Sequence, residues 1–204
     1  RLDASAPENP SGWKKLTARE TGETNNVRVK VAGHEYLFGK LAPGRRWAND
    51  SEGKALPRPY HGRQSTFLFG NEEVEVTQYT QVVPGQDEAL DTVLVYYRVV
   101  NNGTVPQKVG LRIMLDTYIG DNDGVPFLVP GRTAMVKDQI DLKGNDVPPY
   151  LEVIEKPDDA KNPGTSARLG IRGIRWSDKL TMTEPSRVVV CRFPGENAGW
   201  DWPL

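Results

Sequence analysis

Hydrophobic and polar positions alternate with a period of two along most of this chain, the signature of half-buried strands. Val27, Val29 and Val31 share one face of such a segment, as do Val74 and Val76, and as do Val109, Leu111, Ile113 and Leu115. In the middle the pattern doubles: Val93, Val95, Tyr97 and Val99 line one face while Leu94, Tyr96 and Val100 line the other. Apolar character on both faces predicts a central strand over Leu90–Asn101, covered from two sides. Asn101-Asn102-Gly103 supplies turn chemistry that tolerates positive φ, so Leu90–Asp116 reads as a central hairpin.

Further strands are expected at Thr66–Phe69, Thr133–Leu142, Tyr150–Ile154, Ala167–Ile171, Leu180–Thr183 and Arg187–Phe193. No window sustains the i, i+3, i+4, i+7 spacing of a capped helix; one short helical turn near Pro157–Lys161 is the most the pattern allows. Sixteen prolines and twenty glycines punctuate the chain at the spacing of many short strands. The expected fold is all-β, a large two-sheet antiparallel β-sandwich of the supersandwich type. Residues 1–26 are polar and read as an extended arm anchored at Trp13, and residues 27–204 as a single sandwich domain. Ala42–Gly62, with Pro43-Gly44, Pro57 and Pro59, reads as a long loop.

Composition adds exclusions. The chain has 204 residues, within the range of one large domain. Its formal charge is −1 with no extended single-sign block, so nucleic acid is not an expected partner. The longest apolar runs fall far short of the roughly 18 residues a membrane helix needs, and membrane insertion is not expected. The single cysteine, Cys191, rules out an intrachain disulfide framework. Arg1 opens the chain without an initiator methionine or signal peptide, which suits a processed chain or a piece of a longer one.

The densest chemistry lies in one loop. Asp116, Asp121, Asn122 and Asp123 fall within eight residues, with Gly120 and Gly124 allowing sharp turns. Several oxygens wrapped by glycine turns suit a hard cation, and calcium is the metal such a loop would take. The spacing is not an EF-hand, because the terminal glutamate is missing. The alternative is structural: Asp116 and Thr117 bond backbone amides while Asn122-Asp123-Gly124 forms an Asx turn. Arg112, on the same strand face as Asp116, would pair with this loop, either to hold it shut or to face a ligand.

Trp200 and Trp202 stand at i, i+2 and share a face of an extended segment. With Asp201 they would make a flat, hydrogen-bonding sugar platform, or would dock into the core. Only His34 and His61 can shuttle protons near neutral pH without a perturbed pKa. His61, in Pro59-Tyr60-His61-Gly62-Arg63, would be the acid or base of a sugar-active site, with Glu72, Glu73 or Glu75 as its carboxylate partner. Nucleophile elbows, phosphate loops and dinucleotide fingerprints are absent.

Tyr96–Asn102 and the run Gly110-Leu111-Arg112, Asp116-Thr117, Gly120, Asn122-Asp123-Gly124, Pro126-Phe127 together resemble poorly characterised bacterial surface or secreted β-sandwich domains. Pro84-Gly85 before Asp91-Thr92, Val147-Pro148 before Tyr150, and Trp200-Asp201-Trp202 extend the likeness, which is closest over Thr92–Gly131. The layout also looks like the galactose mutarotase-like sandwich, found as an enzyme and as an accessory domain of glycosidases. The first resemblance implies an extracellular or cell-envelope location and no established activity. The second implies a carbohydrate-active site using His61 and a carboxylate such as Glu73. The preferred expectation is a noncatalytic binding or assembly module of an exported bacterial protein, carbohydrate-binding or self-associating by strand addition. The mutarotase-like domain is the alternative.

Overall fold

A computed structural model describes residues 3–6, 9–18, 24–48, 53–59, 61–85, 88–174 and 182–191. The fold is all-β: among the described residues 51% lie in strands, there is no α-helix, and several sheets are antiparallel. Contacts divide the chain into two compact units, one of residues 1–26 and 114–204, the other of residues 27–113.

In chain order, β1 (Asp3–Ala6) and β2 (Asn9–Thr17) come first. They are followed by β3 (Asn26–Val31), β4 (His34–Leu37), β5 (Arg45–Trp47), β6 (Lys54–Ala55) and β7 (His61–Phe69). Next are β8 (Val74–Val83), β9 (Thr92–Asn101) and β10 (Val109–Met114). The last six are β11 (Thr117–Gly120), β12 (Phe127–Leu128), β13 (Ile140–Lys143), β14 (Tyr150–Ile154), β15 (Ser166–Gly170) and β16 (Arg187–Val190).

The 27–113 unit has one sheet in the order β10-β3-β4 and another in the order β5-β7-β8-β9, with β6 also beside β7. Alternation decides which side chains meet. Val29 and Val31 of β3, Phe67 and Phe69 of β7, and Val74 and Val76 of β8 are buried together. Tyr36, Phe38, Trp47, Tyr97, Val109 and Leu111 pack around them. Apolar faces of two sheets thus share one core, as in a sandwich. Phe67 lies at the centre of the aromatic packing, with ring centroids 4.9 Å from Trp47, 5.3 Å from Phe69 and 5.7 Å from Phe38.

Among the described residues the other unit has the sheets β1-β2-β11, β12-β14-β15 and the pair β13-β16. Val129, Leu142, Val147, Leu151 and Ile171 form one buried cluster there, and Ile119, Val125 and Val153 another. Residues 3–6 and 9–17, within the segment expected as an extended arm, are strands, and among the described residues β2 lies between β1 and β11.

Several strand expectations need correction. Leu90–Asp116 is not a central hairpin: β9 pairs with β8 at the end of its sheet, and β10 pairs with β3 in the other. The turn residues act differently from a tight hairpin turn. Asn101 takes the Gly103 N–H on its Oδ1 and donates Nδ2 to the Val105 carbonyl, shaping a longer connection that carries the chain between sheets. Of Thr133–Leu142 only Ile140–Leu142 is strand, with Val136 bridging Phe127 alone. Of Leu180–Thr183, Met182 and Thr183 lie outside any strand and Leu180 and Thr181 outside the described residues; β16 covers Arg187–Val190, and Arg192 and Phe193 lie outside the described residues. Pro157–Lys161 forms turns and no helix, while Ala42–Gly62 includes the short strands β5 and β6.

Candidate functional site

Two features concentrate unusual chemistry, one in each unit. In the 27–113 unit it is the edge strand β9. Its pairing with β8 runs without a register shift from Val83↔Thr92 to Val74↔Asn101, so the strand is ten residues of unbulged backbone. Among the described residues no strand pairs with its other side. The far side of the same sheet differs, for there β7 meets the three-residue β5 and two-residue β6.

Alternation along β9 sets what its two faces offer. Tyr97 points into the core, edge-on to Phe38, with its hydroxyl taking a hydrogen bond from Gln78 Nε2 at 2.6 Å. Burial pushes the Tyr97 phenol pKa up, and the Gln78 bond partly offsets this. On the same face Val95 and Val99 are 45% and 38% exposed, and the neighbouring Val82 of β8 is 42% exposed. The other face presents buried Leu94, exposed Arg98, and Tyr96 stacked on Tyr79 at 4.6 Å between ring centroids. Arg98 is the only charged residue in the strand, which contains no proline. Natural edge strands are usually blunted by charges, proline, bulges or shortness; β9 carries a single charge and none of the others.

In the other unit the notable site is the acidic loop, and its organiser is a residue the sequence reading passed over. Leu151 and Val153 of β14 point inward, and the same period of two carries Glu155 to the next inward position, 4% exposed. Its carboxylate accepts the Thr165 N–H at 2.9 Å, the Asp121 N–H at 3.3 Å and Lys14 Nζ at 3.3 Å. Lys14 Nζ also bonds Asp121 Oδ2 at 2.5 Å. Gly120, at φ +64°, lies so close that a Cβ there would come 2.2 Å from the Glu155 carboxyl carbon; Gly164, at φ +73°, would put one 2.6 Å from Oε2. Both glycines are needed for positive φ and for the space the carboxylate fills.

Burial alone would raise the Glu155 pKa, but the Thr165 amide, Lys14 and the Asp121 amide together pull it below the usual range. Lys14 is held above its ordinary value, first by its hydrogen bond to Asp121, with desolvation opposing and Glu155 assisting. The network therefore favours both charged forms.

The cation-site candidates are distributed around this network. Asp116 gives its N–H to Asn25 Oδ1 at 2.7 Å, and its carbonyl accepts from Ala18. Asn122 donates Nδ2 to the Glu155 carbonyl and exchanges backbone bonds with Ile119, closing a tight turn. Asp123 is exposed, and the Asp121 side chain, 80% exposed, faces Lys14. Among the described residues no group of three or more His, Cys, Asp or Glu side chains is placed to hold a metal ion. Asn122 and Gly124 also line an open cleft of about 520 Å³ with Lys137, Asp138 and Asp158.

Arg112 is buried in β10 and belongs to the 27–113 unit, whereas Asp116, Asp121, Asn122 and Asp123 belong to the other. His61 opens β7 and Glu73 follows its far end, both exposed. The eight residue steps of β7 span about 26 Å at the usual strand rise, so these two candidates are not brought together. Trp200, Asp201 and Trp202 lie outside the described residues. Compared with protein-family models, with curated proteins and with solved structures, the chain matches none.

Proposed function

We propose that this chain is a noncatalytic assembly module of an exported bacterial protein, joining its neighbours by strand addition to β9. The observation that carries the reading is the ten-residue, unbulged edge with two half-exposed valines and one charge. An edge of that kind presents a row of backbone donors and acceptors that an added strand can satisfy, while alternate side chains give selectivity. The distance between His61 and Glu73 favours this over a sugar-active domain, which needs an acid and a base across one ring. The exported bacterial setting rests on the resemblance around Thr92–Gly131.

Amide hydrogen exchange tests the reading. In the dilute chain, β9 amides bonded to β8 should be protected while the intervening ones exchange freely, and assembly should slow the second set. Protection of every β9 amide at high dilution would mean the edge is already covered, and would overturn the reading.

A further inference from the structure

We infer that the occupant of the β9 edge is a second copy of the same strand, joined antiparallel about a two-fold axis through Tyr97; this rests on the assembly reading above. A two-fold axis normal to the sheet keeps the same face of each copy on the same side. Residues directly opposite must then share a face, which restricts the register to a few choices.

The side chains of β9 select among them. Centring on Tyr97 sets Val95 opposite the partner's Val99 and Val99 opposite the partner's Val95. The half-exposed valines of each copy would thereby be covered. On the other face the same register pairs Leu94 with the partner's Val100 and Tyr96 with the partner's Arg98. A guanidinium beside a tyrosine ring is favourable, and β-branched pairs opposite one another are the stabilising unit of antiparallel sheets. Moving the centre one residue to Tyr96 would set the cationic Arg98 against Leu94, a buried apolar side chain. Moving it to Arg98 would oppose two like charges. Of these three registers, the one centred on Tyr97 matches apolar to apolar and cation to ring from Leu94 to Val100, with Val93 opposite Asn101 at its ends.

Paired cysteines read this register in the full chain, with Cys191→Ser removing the native thiol. Opposed Cα atoms in an antiparallel pair lie about 4.5–5.5 Å apart, within the window for a disulfide. Val95→Cys and Val99→Cys chains, mixed and mildly oxidised, should cross-link at least about tenfold more than either alone, because opposition occurs only between unlike positions. Sedimentation of the unaltered chain should show a dimer within the micromolar range.

Cross-linking of either single variant with itself, equal to that of the mixture, would overturn the register. A monomer at every concentration and no cross-link would overturn self-pairing. If β9's outward amides then still exchange freely, the edge remains open and the assembly reading stands; if they are protected in that monomer, both fall. Circular dichroism identical to the parent's verifies that the cysteine chains fold.

Discussion

The acidic loop and the β9 edge are both rich in polar groups, yet they treat them in opposite ways. Around Glu155 the polar atoms face one another: two backbone amides and a lysine converge on a single carboxylate, and two glycines make room for it. Along β9 one row of backbone groups bonds β8, while among the described residues the other row meets no strand. The first arrangement makes a fold closed on itself, and the second makes a surface. Density of carboxylates in the sequence points to the loop as the place of function, and the geometry ties that loop through Asp121 to Glu155 and Lys14.

The largest effect that would break this contrast is removal of the carboxylate. Glu155→Ala strands the Thr165 and Asp121 amides and leaves Lys14 facing Asp121 alone, at an expected cost of about 3 kcal/mol. Urea unfolding measures it. A change below the noise would mean that the network contributes nothing to stability and that the loop is free for another role. Gly120→Ala should cost about 2 kcal/mol, from left-handed backbone strain and from the collision with the Glu155 carboxyl group. The same change at Gly124, where φ is +87° but a Cβ would meet nothing, isolates the strain. The Gly120 variant should therefore be the less stable of the two.

Sequence alternation located most of the strands because it is a local signal, and β7, β8, β9, β10 and β14 all carry it. Strand partners are not local. Val93–Val100 is apolar on both faces and reads as central, although among the described residues it lies in the last strand of its sheet; the pattern reports burial of faces and is silent about which neighbour bonds the backbone. The Asn101-Asn102-Gly103 turn likewise reads as a hairpin because its residues suit one, while Val105-Pro106 and the Asn101 side-chain bonds lead the chain elsewhere. Glu155 was legible in principle. The alternation Leu151, Val153, Glu155 puts a carboxylate in an inward position, which requires partners, but nothing in the sequence names Lys14 as one of them.

A smaller effect follows from titration. Because the folded-state pKa of Glu155 lies below its unfolded value, the charged network adds stability that is complete above the unfolded pKa of about 4.3. That contribution is lost as the pH falls through the folded value. The unaltered chain should thus lose stability relative to Glu155→Gln as the pH drops below about 4, with the gap between them narrowing. Lys14 acts at the opposite end: its raised pKa adds stability that is present below the unfolded lysine value and lost as the pH rises through the folded one. Parallel curves for parent and Glu155→Gln across the acid range would show that the carboxylate is not coupled to folding.

The smallest expected effect on stability, and the sharpest on the comparison, comes from charging the edge. Val95 and Val99 already face solvent in part, so Val95→Lys with Val99→Lys should shift unfolding by no more than about 0.5 kcal/mol. Association should respond very differently. In the register centred on Tyr97 each new lysine stands opposite a lysine of the second copy, replacing two valine pairs with two like-charge pairs, and self-association should weaken on the order of a hundredfold. High salt should restore part of it, because the repulsion is screened while the lost apolar contact is not. Sedimentation equilibrium of parent and double variant, alongside their urea curves, separates the two quantities. A loss of folding stability as large as that from Glu155→Ala would place β9 among the internal supports of the unit and remove the distinction between a closed network and an open edge.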